Sequence, residues 1–111
     1  MKRKPPRPKS AAEETFALQL RVECIAFARE YKFHPSRRWR FDFVVYNAVH
    51  EIAVEIEGFG RHQRFTGFED DCEKYAEALI YGYRVLRVTP RQVKSGQAIA
   101  WLKRLLEQEG K

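Results

Sequence analysis

Two strand-like runs stand four residues apart in the middle of the chain, Trp39 to Tyr46 and Glu51 to Glu57. Both are rich in β-branched and aromatic residues, the composition of half-buried sheet. The spacer Asn47-Ala48-Val49-His50 is short enough for an antiparallel hairpin. Side chains alternate along a strand, so Trp39, Phe41, Phe43 and Val45 are expected on one face and Arg40, Asp42 and Val44 on the other. In the second run Glu51, Ala53, Glu55 and Glu57 share one face and Ile52, Val54 and Ile56 the opposite one. Asp42, Glu55 and Glu57 then converge on one side of the hairpin once its register allows it. An ionised carboxylate in an apolar setting costs several kcal/mol unless a partner compensates it, and for a cluster of them a divalent metal is the commonest partner.

The flanks read as helix before and helix, strand, helix after. Ser10 is an N-cap with Glu13 in the capping-box position, and Phe16, Leu20, Cys24 and Phe27, with Ala17, make an apolar stripe that predicts a helix from Ala11 to about Ala28. Glu13 lies on that stripe, and Glu14 is about 100° away from it at helical pitch. Tyr31 and Phe33, before Pro35, predict a short edge strand. A second helix is expected over Glu69 to Tyr81, with Tyr75, Ala76, Ala78 and Leu79 on its apolar side and Gly82 as its stop. Tyr83 to Thr89 then forms a buried strand, parallel to its predecessor by the right-handed crossover rule. A helix bounded by Pro90 leads into a last amphipathic helix with Ile99, Leu102, Leu105 and Leu106 as its stripe. The expected class is α/β, a mixed sheet of about four strands flanked by helices.

At 111 residues and 44% hydrophobic composition the chain has material for one domain with a real core. No apolar run reaches the roughly 18 residues of a membrane-spanning helix, and no apolar signal core opens the chain, so a cytoplasmic protein is expected, without a membrane partner. Cys24 and Cys72 show no zinc-site spacing and are expected to be small buried side chains. Lys and Arg total 21 against 15 Asp and Glu, a formal net charge of +6. That excess, grouped at Lys2-Arg3-Lys4, Arg7, Lys9 and again at Arg37-Arg38-Trp39-Arg40, is the footprint of a polyanion binder. Residues 1–10 carry three prolines and five basic residues and read as a disordered basic tail, leaving 11–111 as the domain.

Between the second strand and the second helix runs Gly58-Phe59-Gly60-Arg61-His62-Gln63-Arg64-Phe65-Thr66-Gly67, a glycine-punctuated loop. Loops at strand ends carry much of a protein's chemistry. His62, five residues past Glu57, is a candidate for general acid/base work or metal contact, and Arg61 and Arg64 for phosphate contact.

Arg40-Phe41-Asp42-Phe43, Ala53-Val54-Glu55-Ile56-Glu57-Gly58 with His62, Asp71-x-x-Lys74, and Gly82-Tyr83-Arg84-Val85-Leu86-Arg87 together resemble the very-short-patch-repair endonuclease-like branch of the PD-(D/E)XK nuclease superfamily. The resemblance covers roughly residues 13–93. Residues 31–43, with His34-Pro35 and Arg37-Arg38-Trp39-Arg40, are also similar to small nuclease-like proteins of phages and prophages. The resemblance implies a restriction-endonuclease-like core and an Mg²⁺- or Mn²⁺-dependent site. Asp42 would be its central ligand, Glu55 and Glu57 its acidic strand motif, and Glu13 (or Glu14) the helix acid that closes it. It further implies His62 as a proton-transfer aid and Asp71 with Lys74 as the helix pair beside the site. Glu57 stands where the parent superfamily has a lysine, and Lys74, His62 and Arg61 are the candidates to replace it.

The resulting expectation is an Mg²⁺-dependent endodeoxyribonuclease acting on DNA in phage replication, recombination or packaging within a bacterial host, with branched or nicked DNA among its substrates. Arg37, Arg38, Trp39, Arg40, Arg61 and Arg64 are the expected DNA contacts. Cutting both strands with one site per chain would call for a homodimer. The competing class is a DNA-binding module that keeps the nuclease fold without catalysis. Retained acids favour the enzyme, because phosphate binding alone would be helped by losing them.

Overall fold

The computed structural model describes residues 10–58 and 65–109. Its elements are α1 (Ala11–Val22), β1 (Ala26–Lys32), β2 (Arg40–Tyr46), β3 (Glu51–Ile56), α2 (Phe65–Ile80), β4 (Arg84–Val88), α3 (Pro90–Lys94) and α4 (Gln97–Glu107). The strands form one sheet in the order β1-β2-β3-β4, antiparallel up to β3 and parallel between β3 and β4. This is a small α/β protein with a four-stranded mixed sheet. The hairpin, the crossover through α2 and the parallel β4 are as expected.

Each face of the sheet has its own core. Phe43, Val45, Ile52, Val54, Ile56 and Val88 pack with Phe16, Ala17 and Leu20 of α1, Val93 of α3, and Ala98 and Leu102 of α4. On the other face Phe41, Val44 and Ala53 pack with Ala78 of α2, Phe33 and Tyr83. The hairpin turn is held by Asn47, whose N–H donates to the His50 carbonyl at 3.0 Å while its side-chain oxygen accepts from Val49 N and His50 N.

Four expectations are corrected. The first helix stops at Val22, six residues early: Cys24 turns left-handed at φ 56°, Ile25 N–H reaches the Leu20 carbonyl and Cys24 N–H that of Arg21. This is a Schellman stop made without glycine. The chain then enters β1, so Phe27 is a strand residue packed beside Phe43, 5.8 Å between ring centroids. Secondly, Cys24 and Cys72 are exposed, not buried. Thirdly, α2 begins at Phe65, four residues before the expected start, and Leu79 is 74% exposed, so its sheet-facing side runs through Lys74, Tyr75 and Ala78.

Fourthly, the simple alternation of β2 fails. Phe41 sits in the same core as Val44, while Phe43 and Val45 sit in the other. The exchange of faces falls at Asp42. On β1 the residue at that level is Glu30, which adopts φ 49°, and the pairing of β1 with β2 runs from Arg29↔Phe43 to Tyr31↔Phe41 across it. A left-handed residue inside a strand swings the following side chains to the opposite face, as a bulge does.

Residues 1–9 of the basic tail and the loop residues Arg61, His62 and Arg64 lie outside the described residues. Among the described residues no helix is long and apolar enough to cross a membrane.

Candidate active site on the β2–β3 hairpin

β2 and β3 pair in register from Tyr46↔Glu51 to Phe43↔Val54, and beyond that rung two carboxylates replace the backbone ladder. Asp42 N–H donates to Glu55 Oε2 at 2.9 Å, and Ile56 N–H donates to Asp42 Oδ2 at 2.8 Å. The bonds are reciprocal across the gap. They orient both carboxylates and satisfy two buried amides, and the residues are only 8% and 5% exposed. The expected alternation and a four-residue turn put both acids, with Glu57, on one side of the hairpin; the alternation breaks at Asp42 itself, and the open rung through which the pair meets was not foreseen.

Helix α2 delivers the counter-charge. Lys74 Nζ donates to Glu55 Oε1 and, at 2.8 Å, to the Arg40 carbonyl. Burial raises the Glu55 carboxyl above its ordinary value; Lys74 opposes the rise and the like charge of Asp42 reinforces it. Of the three candidates for the missing strand lysine, Lys74 is the one that the structure describes, and it stands on the acid pair.

Glu57 is held differently. Tyr75 hydroxyl lies 3.2 Å from Glu57 Oε1 and 3.3 Å from Glu55 Oε1, and Arg87 Nη2 lies 3.3 Å from Glu57 Oε2. A phenol has one hydrogen to donate, so the two glutamates share it. Burial, with the charges of Glu55 and Glu57, pushes the Tyr75 hydroxyl far above its ordinary value and keeps it a donor. Burial would lower Arg87, but its bond to Glu57 and the charges of Tyr75, Glu57 and Asp71 together outweigh this, and its guanidinium is held charged. Sequence reasoning gave neither Tyr75 nor Arg87 a place in the site. The signals available were an Arg inside an otherwise apolar strand and a Tyr, with a polar tip that seeks a partner, directly after Lys74.

Glu13 is buried at the start of α1, where its N–H caps on Ser10 Oγ at 3.1 Å and its carboxylate lies 3.9 Å from Arg29 Nη2. Glu14 binds the same guanidinium at 2.8 Å. Among the described residues no group of three or more His, Cys, Asp or Glu side chains is arranged to hold a metal ion. The structure therefore gathers Asp42 and Glu55 with Lys74, and leaves Glu57 with Tyr75 and Arg87 and Glu13 with Arg29. As a donor set the buried pair suits a hard cation: two like-charged carboxylates offering oxygen, the number that Mg²⁺ takes from a protein when substrate phosphate and water complete its shell.

Of the expected DNA contacts, Arg37 lies over the Trp39 ring with Cζ 3.7 Å from its centroid and reaches Asp70 and Glu73 of α2. Trp39 is half-buried against Phe33, and Arg38 and Arg40 are exposed. Compared with family models, curated proteins and solved structures, the chain finds no match in any of the three.

Proposed function

We propose that this protein is a metal-dependent endodeoxyribonuclease built on a restriction-endonuclease-like core, with Asp42, Glu55 and Lys74 as its working residues. One observation carries the reading: a buried Asp–Glu pair, locked across an open rung of the hairpin, with a lysine from the neighbouring helix on the glutamate. The order helix, antiparallel strands, helix, parallel strand supports it, as does the net charge of +6. Mg²⁺ or Mn²⁺ held by Asp42 and Glu55 would supply Lewis-acid activation of the scissile phosphate and of water. Lys74 contributes positive charge beside that pair, where an attacked phosphate gains negative charge. Glu57 is engaged by Tyr75 and Arg87 and acts as a structural acid in this scheme. DNA is the partner, reached through the basic surface; pairing of two copies is the route to a double-strand cut.

The test is cleavage of plasmid, single-stranded and four-way-junction DNA with Mg²⁺ or Mn²⁺, with an EDTA control. Expected is metal-dependent cleavage that disappears in Asp42→Asn and in Lys74→Ala while DNA binding stays. If none of the substrates is cut, the enzyme reading is wrong. A second reading, a non-catalytic DNA-binding module, has its own observation: protein donors from Tyr75, Arg87 and Arg29 already reach three of the four expected ligands, Glu55, Glu57 and Glu13. Binding with no cleavage under every metal would establish it.

A further inference from the structure

The turn before β2 presents an arginine whose charge and edges are already engaged. Arg37 Nη2 lies 3.4 Å from Asp70 Oδ1 and Nη1 3.3 Å from Glu73 Oε2, and one guanidinium face covers Trp39. His34 fixes the turn. Its Nδ1 accepts from the backbone N–H of Ser36 and of Arg37, each at 3.1 Å, which makes Nε2 the nitrogen that donates to Glu77 Oε1 at 2.8 Å. The imidazole stands edge-on to Trp39 and Tyr81, with ring centroids 5.5 and 5.3 Å away. Asp70, Glu73 and Glu77 of α2 thus hold one short turn, and with it the Arg37–Trp39 stack.

What such an arginine can still recognise follows from what is engaged. A phosphate clamp needs uncompensated charge and forked N–H donors; here two carboxylates lie against the fork. The side chain is nevertheless 43% exposed, and the indole takes up one face of its planar guanidinium. A flat cationic face stacks on a flat ring, and on a basic protein the ring to expect is a nucleobase. Bases inside a duplex are stacked on each other and do not offer that surface. We propose that Arg37, stacked on Trp39 and set by His34, is a platform for an unpaired base, so that the substrate is single-stranded or locally unpaired DNA. The proposal rests on the nucleic-acid reading above, and binding tests it without cleavage.

The experiment is titration in EDTA with a twelve-nucleotide thymidine oligomer, a hairpin duplex of matched charge, and inorganic polyphosphate. Trp39 fluorescence is followed in a Trp101→Phe background, and anisotropy of labelled oligomer with unaltered protein gives the same affinities should that variant not fold. Expected are quenching by the oligomer and not by polyphosphate, and affinity at least about tenfold tighter for the oligomer than for the duplex, the scale of one stacked base. Arg37→Lys keeps the charge and loses the plane, so oligomer affinity is expected to fall about tenfold with an unchanged salt slope. His34→Gln is expected to fall between the two. Equal affinity for duplex and oligomer, or wild-type affinity in Arg37→Lys, overturns the platform. Duplex bound and cleaved with Arg37→Lys unaffected would sink the platform and leave the nuclease; oligomer bound through Trp39 but never cut would do the reverse.

Discussion

Asp42 and Glu55 each stand in for backbone at a rung the sheet leaves open, so removing them costs stability, apart from their part in the proposed cleavage. Asp42→Asn can still accept the Ile56 N–H, whereas Asp42→Ala leaves a buried amide unsatisfied. The alanine variant is therefore expected to lose about 1–3 kcal/mol in a urea titration and the asparagine variant much less. Equal losses would show that the bond to Ile56 does not hold the rung. Glu55 adds a pH dependence of definite sign. Burial raises its carboxyl above the ordinary 4.5, with Lys74 opposing and Asp42 reinforcing, so the folded state keeps this proton to higher pH than the unfolded chain does. Its contribution to stability is complete below pH 4.5 and is lost as pH rises through the folded value. Glu55→Gln removes that titration, and its stability is expected to fall less than wild type between pH 4 and pH 8 without added metal. Parallel curves would show that Glu55 does not set the dependence.

At the scale of elements, two helices end in the same way with different residues. α2 stops on Gly82 at φ 87°, with Tyr83 N–H on the Ala78 carbonyl, and α1 stops on Cys24 at φ 56° with the equivalent bonds. Only glycine adopts that conformation freely, since a side chain there costs roughly 1–2 kcal/mol. Cys24→Gly is expected to stabilise the protein by about 1 kcal/mol and Gly82→Ala to destabilise it by a similar amount, read as opposite shifts of the denaturation midpoint at constant slope. This contrast also explains what the chain reveals of its fold. The stop at Gly82 and the hairpin turn are written in local residues and were legible, as was the stripe of α4. The stop at Cys24 was not, because Phe16, Leu20, Cys24 and Phe27 continue a helical spacing past it. Nor does any residue type announce the left-handed Glu30 and the change of faces at Asp42. The site divides likewise: the expected alternation put Asp42 and Glu55 on one side of the hairpin but not the open rung through which they meet, and Lys74 was implied only by the resemblance that Asp71-x-x-Lys74 helps to carry. Tyr75 and Arg87 depend on how α2 lies across β4, a long-range contact that no local pattern records.

Across the whole molecule, the candidate site and the stability of the sheet are one problem. The Asp42–Glu55 pair sits where β2 and β3 part, between a core packed by α1, α3 and α4 and a core closed by α2. A cation that binds these carboxylates only when the hairpin is formed stabilises the entire fold by RT ln(1 + [L]/Kd). With Mg²⁺ at about ten times its Kd that is about 1.4 kcal/mol, or roughly 4–8 °C in Tm for a domain of this size. The rise is expected at pH 7.5, where the site must be ionised to bind. It is expected to vanish below pH 4.5, where Glu55 with its raised carboxyl holds its proton, and to vanish in Asp42→Asn at any pH. Thermal unfolding with Mg²⁺, Mn²⁺ and an equal ionic strength of K⁺ separates site binding from salt screening. A Tm that responds equally to K⁺ and Mg²⁺ would mean that Lys74 alone balances the acids, and it would move the protein from the nuclease reading to the DNA-binding module that keeps the same sheet.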